Sequence, residues 1–359
     1  MRAFLFSLGL IGAVTTAAPQ KSSTDPNHWV SPGTPGSPIN GELFHAQVLL
    51  DTAGFSAGVI DGKKGTSFTQ AVRGFQQANG LELSGKLDNP TRTALLRQNR
   101  QSTIYVKLTG DDVSGPFVYP FPKKPEDQAK LQFMGYRNML EKLAERYHTT
   151  PQTVVALNGP DKLIGPGQTL RLPNVAPSSR DYSGAINDKQ AQLMAMLNVG
   201  GEQPKGDFIV VDKSDGTLKV YKSGSEGGTN TKSSDSSPSV PTGTLVAQFP
   251  VTTGSGHDPL PLGTWKTTTY SFLPPFNYQP DLFWDVADDK AEQKLPPGPN
   301  GPVGVAWLDL TKEHYGIHGT NEPQTIQHTE SHGCLRLTNW DVMRLSRMLK
   351  PGFTAYFVA

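Results

Sequence analysis

The apolar pattern of this chain changes period along its length, from that of helices to that of strands. From Gly41 to about Asn99 the spacing is helical; in FTQAVRGFQQANG, Phe68, Val72 and Phe75 fall on one face. From Lys205 onward it is that of strands: DFIVVDKSDGTLKVYKSG reads as a hairpin turning at Asp215-Gly216, and TLVAQFPVTTGSG as a further strand. A helical stripe and an alternating strand bury different surfaces. At 359 residues the chain is predicted to be multidomain, with two or three domains rather than one. The expected order is a small all-α three-helix module (41–99), a mixed α/β middle segment (100–177) and a mainly β, β-sandwich-like domain (205–359) with one C-terminal helix.

Local signals fill in this outline. Glycines end the first two helical segments, Asp61-Gly62 marks a turn between them, and NPTRTALLRQN opens with Asn89 as N-cap before Pro90. In the middle segment one helix is followed by a second opening at Thr150-Pro151, then by the strand TLRLP; no strand is predicted ahead of them. The closing helix starts from Thr338 with Asp341 in capping-box position and stops before Pro351-Gly352. Residues 19–40 and 178–204 read as linkers, and Ser223 to Gly243 as a low-complexity loop. Linkers of this composition predict that residues 205–359 work independently of what precedes them.

The first residues, MRAFLFSLGLIGAVTTAAPQ, have a basic start at Arg2, an apolar run to Val14 and small residues at Thr16 and Ala18. That is the pattern of a cleaved signal peptide over 1–18, and the run is shorter than the roughly 20 residues a membrane span needs. The expectation is export across the cytoplasmic membrane to the periplasm or cell wall, with no transmembrane anchor. A net charge of +1 and 36% hydrophobic residues point to neither nucleic acid nor a membrane surface as partner.

Exported chains commonly use cysteines in pairs, yet Cys334 is the only one here. It lies in YGIHGTNEPQTIQHTESHGCLRL, beside His318, His328 and His332. A thiol is mostly protonated at neutral pH and needs a base to become a nucleophile, which an imidazole can supply. His332, two positions from Cys334, would lie on the same side of an extended segment, and Gly333 leaves its N–H open to an oxyanion. A zinc reading would use Cys334, His318, His332 and either His328 or His314, but the H-x-C spacing is unusual for zinc. No metal and no cofactor is expected.

The strings IHGT and SHGCLRL resemble the signature of the L,D-transpeptidase catalytic domain, and the similarity extends through FIVVDKSDGTLKVY, FPVTTGSGHDPLPLGTW and GPVGVAWLDL. The Pro-rich stretch from Ser271 to Asn300 departs from the family pattern and is read as an active-site lid. The segment Gly58 to Leu96 is similar to a three-helix peptidoglycan-binding module, and the end of the middle segment to a degenerate LysM unit lacking that family's first strand, the alternative being a structural spacer. The resemblance implies Cys334 as nucleophile, His318 as base with its ring oriented by the Gly319 carbonyl, and His332 completing the pocket. It further implies an oxyanion hole from the N–H groups of Gly333 and Cys334. Ser331 would support the turn, and Arg336 would hold a substrate carboxylate or make a structural ion pair. The implied partners are peptidoglycan stem peptides and glycan, with a lipoprotein lysine as a further acceptor. The implied reaction is acyl transfer giving 3→3 cross-links, with acylation by carbapenems as a family property. Peptide hydrolysis without rejoining, as by an L,D-carboxypeptidase or endopeptidase, and an inactive wall-binding protein are the alternatives.

Overall fold

The computed structural model describes residues 31–224, 238–282, 291–331 and 333–359. The predicted signal peptide, the start of the first linker, most of the 223–243 loop, part of the Pro-rich stretch and His332 lie outside the described residues.

Three helices, α1 (Gly41–Thr52), α2 (Thr66–Ala78) and α3 (Asn89–Leu96), build the N-terminal module. Phe68, Val72 and Phe75 are buried together with Leu49, Leu50 and Leu95, the face their spacing predicted. The cap of α3 lies one residue earlier than expected: Asp88, held by the Ser84 hydroxyl, accepts from the Thr91 N–H at 2.9 Å, so Asn89 is the first helical residue.

The middle segment runs β1 (Thr103–Lys107), α4 (Gly110–Val113), α5 (Pro125–Gln128), α6 (Met139–Arg146), α7 (Pro151–Asn158) and β2 (Thr169–Pro173). Strand β1, which sequence reading did not find, pairs antiparallel with β2 from Thr103↔Pro173 to Lys107↔Thr169. Its β-branched TIYVK has the composition for a strand but is half-exposed, so it carries little apolar signal. Residues 188–196, read as linker, form helix α8 (Asp188–Met196), capped by Asn187 and burying Leu193 and Met194 in the C-terminal core.

The C-terminal domain comprises β3 (Phe208–Asp212), β4 (Thr217–Ser223), β5 (Gly243–Pro250), β6 (Gly263–Phe272), β7 (Phe276–Tyr278), β8 (Gln293–Leu295), β9 (Ala306–Leu310), β10 (Gly316–His318), β11 (Leu335–Arg336), α9 (Asn339–Met348) and β12 (Thr354–Val358). Eight strands make one mixed sheet in the order β11-β10-β9-β6-β12-β3-β4-β5, and β7 and β8 pair separately. The predicted hairpin is β3–β4, with Gly216 at φ +61° in its turn. The sheet curls against α9, which is buried along almost its whole length. After β5 the chain runs to the opposite edge, where Thr252 pairs with Arg336 of β11, so the two margins of the sheet meet.

The three parts are bonded to one another at several points. Strand β5 exchanges backbone hydrogen bonds with the N-terminal module, Gln248 N–H to Gly54 O and Ser56 N–H to Gln248 O, each 3.0 Å. Gly74 in α2 permits this approach, because a Cβ there would stand 2.5 Å from the Gln248 side chain. Deeper in, Arg344 of α9 grips Asp51 of α1 with two hydrogen bonds of 2.7 and 2.9 Å. His148 of the middle segment stands 3.0 Å from the same carboxylate and stacks on Trp340. Ser56 donates to Asp341 at 2.7 Å, so Asp341 spends its carboxylate on Ser56 and Arg344 rather than closing the predicted capping box. Burial alone would raise the Asp51 carboxyl, but Arg344 and His148 beside it hold it well below the usual carboxylate range.

Candidate active site

Strands β10 and β11 are parallel, with Ile317 opposite Leu335 and His318 opposite Arg336. Residues facing each other in register point to the same side of a sheet. Ile317 and Leu335 enter the core fully buried, while His318, Arg336 and, two residues earlier in β11's approach, Cys334 share the other face. The sequence thus needs only alternating LRL and GIH segments to bring a thiol and an imidazole, 16 residues apart by number, onto one surface.

His318 is buried, stacks on Trp307 with ring centroids 5.3 Å apart, and donates from Nδ1 to the Gly319 carbonyl at 2.7 Å. That bond leaves Nε2 as the ring's lone-pair nitrogen. Burial pushes its pKa down to about 4, so the ring is neutral at neutral pH. Cys334 is half-buried; its Sγ lies 3.6 Å from the His314 carbonyl, and burial pushes the thiol up to about 11 despite the Gly316 N–H and Arg336. The resting pair is a neutral thiol and a neutral imidazole. Alkylation of Cys334 by iodoacetamide is therefore expected to keep accelerating toward pH about 11, instead of levelling off near the ~8.5 of an ordinary thiol.

The turn that presents Cys334 is fixed from both sides. Ser331 donates its hydroxyl to the Cys334 carbonyl at 2.6 Å, while Ser255 N–H donates to Ser331 O and Ser331 N–H to Thr253 O. Gly333 has φ +98°, and a Cβ there would stand 2.9 Å from the Tyr315 ring. Gly333→Ala is expected to lower acylation of Cys334 at least about tenfold, because strain of ~1–3 kcal/mol and the Tyr315 clash both shift the turn; the rate of covalent labelling checks it. Arg336 donates to the Glu330 carbonyl, and its Nε is buried with no hydrogen-bond partner among the described residues.

These groups line a cleft of about 630 Å³ whose walls include Trp307, Tyr315, Tyr278 and Leu295. Pro125 and Gln128 of α5 line it too, so the middle segment forms part of the wall. Met134 and Asn300 stitch that segment to the stretch after β8: Met134 N–H donates to Pro297 O at 2.9 Å and Asn300 N–H to Met134 O at 3.0 Å. His314 is at the mouth, whereas His328 lines a separate cleft with Asp61, Lys63 and Gln152. Among the described residues no three His, Cys, Asp or Glu side chains stand close enough to hold a metal ion. Sequence reasoning missed Trp307, although it lies in a segment already singled out; nothing local to Pro125 or Gln128 marks them.

Residues 206–358 match the family model described as the L,D-transpeptidase catalytic domain, and residues 41–95 the one described as "Putative peptidoglycan binding domain". The chain is 50% identical over 56 residues to "Putative L,D-transpeptidase YkuD" of Bacillus licheniformis, a match covering 16% of this chain and 34% of that protein. It is also 50% identical over 54 residues to the protein of that name from Bacillus subtilis, covering 15% and 33%. The matches thus span about a third of the length of these curated relatives. Among solved structures, L,D-transpeptidase 3 from Mycobacterium tuberculosis in complex with a faropenem-derived adduct is 16% identical with a TM-score of 0.29, covering 42% of this chain and 60% of that one.

Proposed function

We propose that this chain, which carries an L,D-transpeptidase catalytic domain over residues 206–358 and a peptidoglycan-binding domain ahead of it, is an exported cell-wall enzyme that acylates Cys334 with a tetrapeptide stem. The observation that carries the reading is the parallel β10–β11 pairing, with Cys334 and His318 on one face at the floor of the cleft. The thiol attacks the carbonyl between an L-centre of the stem and its terminal D-alanine. His318 Nε2 takes the thiol proton as the C–S bond forms and delivers it to the departing D-alanine nitrogen. This order suits a pair that starts neutral, since no thiolate has to persist beside a buried ring. The N–H groups of Gly333 and Cys334 hold the oxyanion. The amine of a second stem then attacks the thioester and releases the thiol, giving a 3→3 cross-link.

Ser331 keeps the turn in shape, and Arg336, which lines the cleft, holds a substrate carboxylate. His332 is assigned to the pocket on the motif alone. The N-terminal module raises the local concentration of wall polymer. Incubation with purified tetrapeptide stems, read by mass spectrometry, tests the reading: cross-linked dimers with released D-alanine are expected. Tripeptides without dimers would replace transfer with hydrolysis, and unchanged stems would overturn the assignment.

A further inference from the structure

Asn339, the first residue of α9, has its amide fixed at both ends. Its Oδ1 accepts from the Val305 N–H at 3.0 Å and lies tight against Gly319 and Gly304, where any Cβ would overlap it. Gly319 is the residue whose carbonyl holds Nδ1 of His318, and its own N–H donates to Ala306 O at 3.2 Å. The other end of the Asn339 amide, Nδ2, donates to Glu145 Oε1 at 2.6 Å and to Pro299 O at 3.2 Å. Glu145 belongs to α6, in the middle segment, outside the 206–358 match, and it is buried.

We propose that Glu145 is a positioning residue for His318, acting through the Asn339 amide and the Gly319 backbone. An amide in this place could face either way, and only one orientation puts an acceptor on the Val305 N–H. Two acceptors on the Nδ2 side select that orientation, and the carboxyl oxygen makes the shorter bond, 2.6 Å against 3.2 Å for Pro299 O, so the middle segment helps to set the backbone that holds the imidazole. Burial raises the Glu145 carboxyl to about 7. The carbonyl-type oxygen facing Asn339 survives protonation, so the contact does not require a charge. This rests on the reading of His318 as the base.

Glu145→Gln, Glu145→Leu and Glu145→Asp in the full chain test the assignment, with kcat and KM for stem transfer and the limiting rate of Cys334 acylation by a carbapenem. Glu145→Gln keeps the acceptor and is expected to stay within about threefold of the parent in each rate. Glu145→Leu leaves Nδ2 without its carboxyl, and Glu145→Asp falls one methylene short. Both are expected to lose at least about tenfold in kcat and in acylation with KM little changed. If Glu145→Leu does not fold, the aspartate variant decides. A folded Leu or Asp variant that only melts lower, with parental rates, would reduce Glu145 to a structural contact. A glutamine variant as slow as the leucine variant would also overturn the proposal. His318→Ala is the separate control: should it acylate at the parental rate, the reading of the base fails whatever Glu145 does.

Discussion

Cys334→Ala is expected to abolish stem transfer and carbapenem labelling, a fall of at least about a thousandfold, while the melting temperature stays within a few degrees of the parent. The thiol is half-buried, so removing one sulfur leaves a small packing change beside a complete loss of nucleophile. Because the chain has one cysteine, labelling has no second thiol to confuse it. Intact mass after carbapenem exposure is the measurement. A full mass shift in the alanine variant would transfer the chemistry to another residue.

The second large effect lies far from the cleft. Asp51→Ala leaves Arg344 buried without its bidentate partner, and breaking such a pair from one side costs about 3–5 kcal/mol. In a protein of this size that corresponds to a melting temperature lower by roughly 10 °C. The partners come from α1 and α9, 293 residues apart, so the same loss follows from deleting everything before Lys205. That truncated protein is expected to be unstable and inactive even on small soluble peptides, the opposite of what its linkers suggest. Replacing both partners, Asp51→Leu with Arg344→Met, should recover only part of the stability, since Asp341 and His148 then lose partners of their own. A truncated protein with parental kinetics would refute the account of the interface, as would an Asp51→Ala variant that melts like the parent.

Why the cleft was legible and the interface was not follows from range. His318 ends β10 and Cys334 stands just before β11, two short strands whose facing residues are fixed by an alternation of two, so the motif announces its own geometry. Asp51 and Arg344 leave a fainter mark. Asp51 falls in line with Phe44 and Val48 on α1, and Arg344 with Trp340 on α9, each a charge within an apolar stripe. Such a position suggests a buried partner but cannot say which of many residues it is. Gly74 inside a helix was a similar hint, since a glycine there costs about 1 kcal/mol relative to alanine unless close packing requires it. Glu145 and Asn339 carry no pattern at all, because a single hydrogen bond between distant elements imposes no period. Strand β1 was lost for another reason, being short and half-exposed.

Strand β5 closes one side of the eight-stranded sheet, and it is the backbone of Gly54–Ser56 that occupies its outer hydrogen-bonding groups at Gln248. Unsatisfied strand margins recruit other chains. The N-terminal module is therefore also expected to shield this margin against self-association: protease nicking that strips the module, whose helix α2 packs on β5, would bare Leu245, which shares the module's core. Nicked protein should then form β-rich oligomers that intact protein does not, which places the solubility of the catalytic domain in residues outside it.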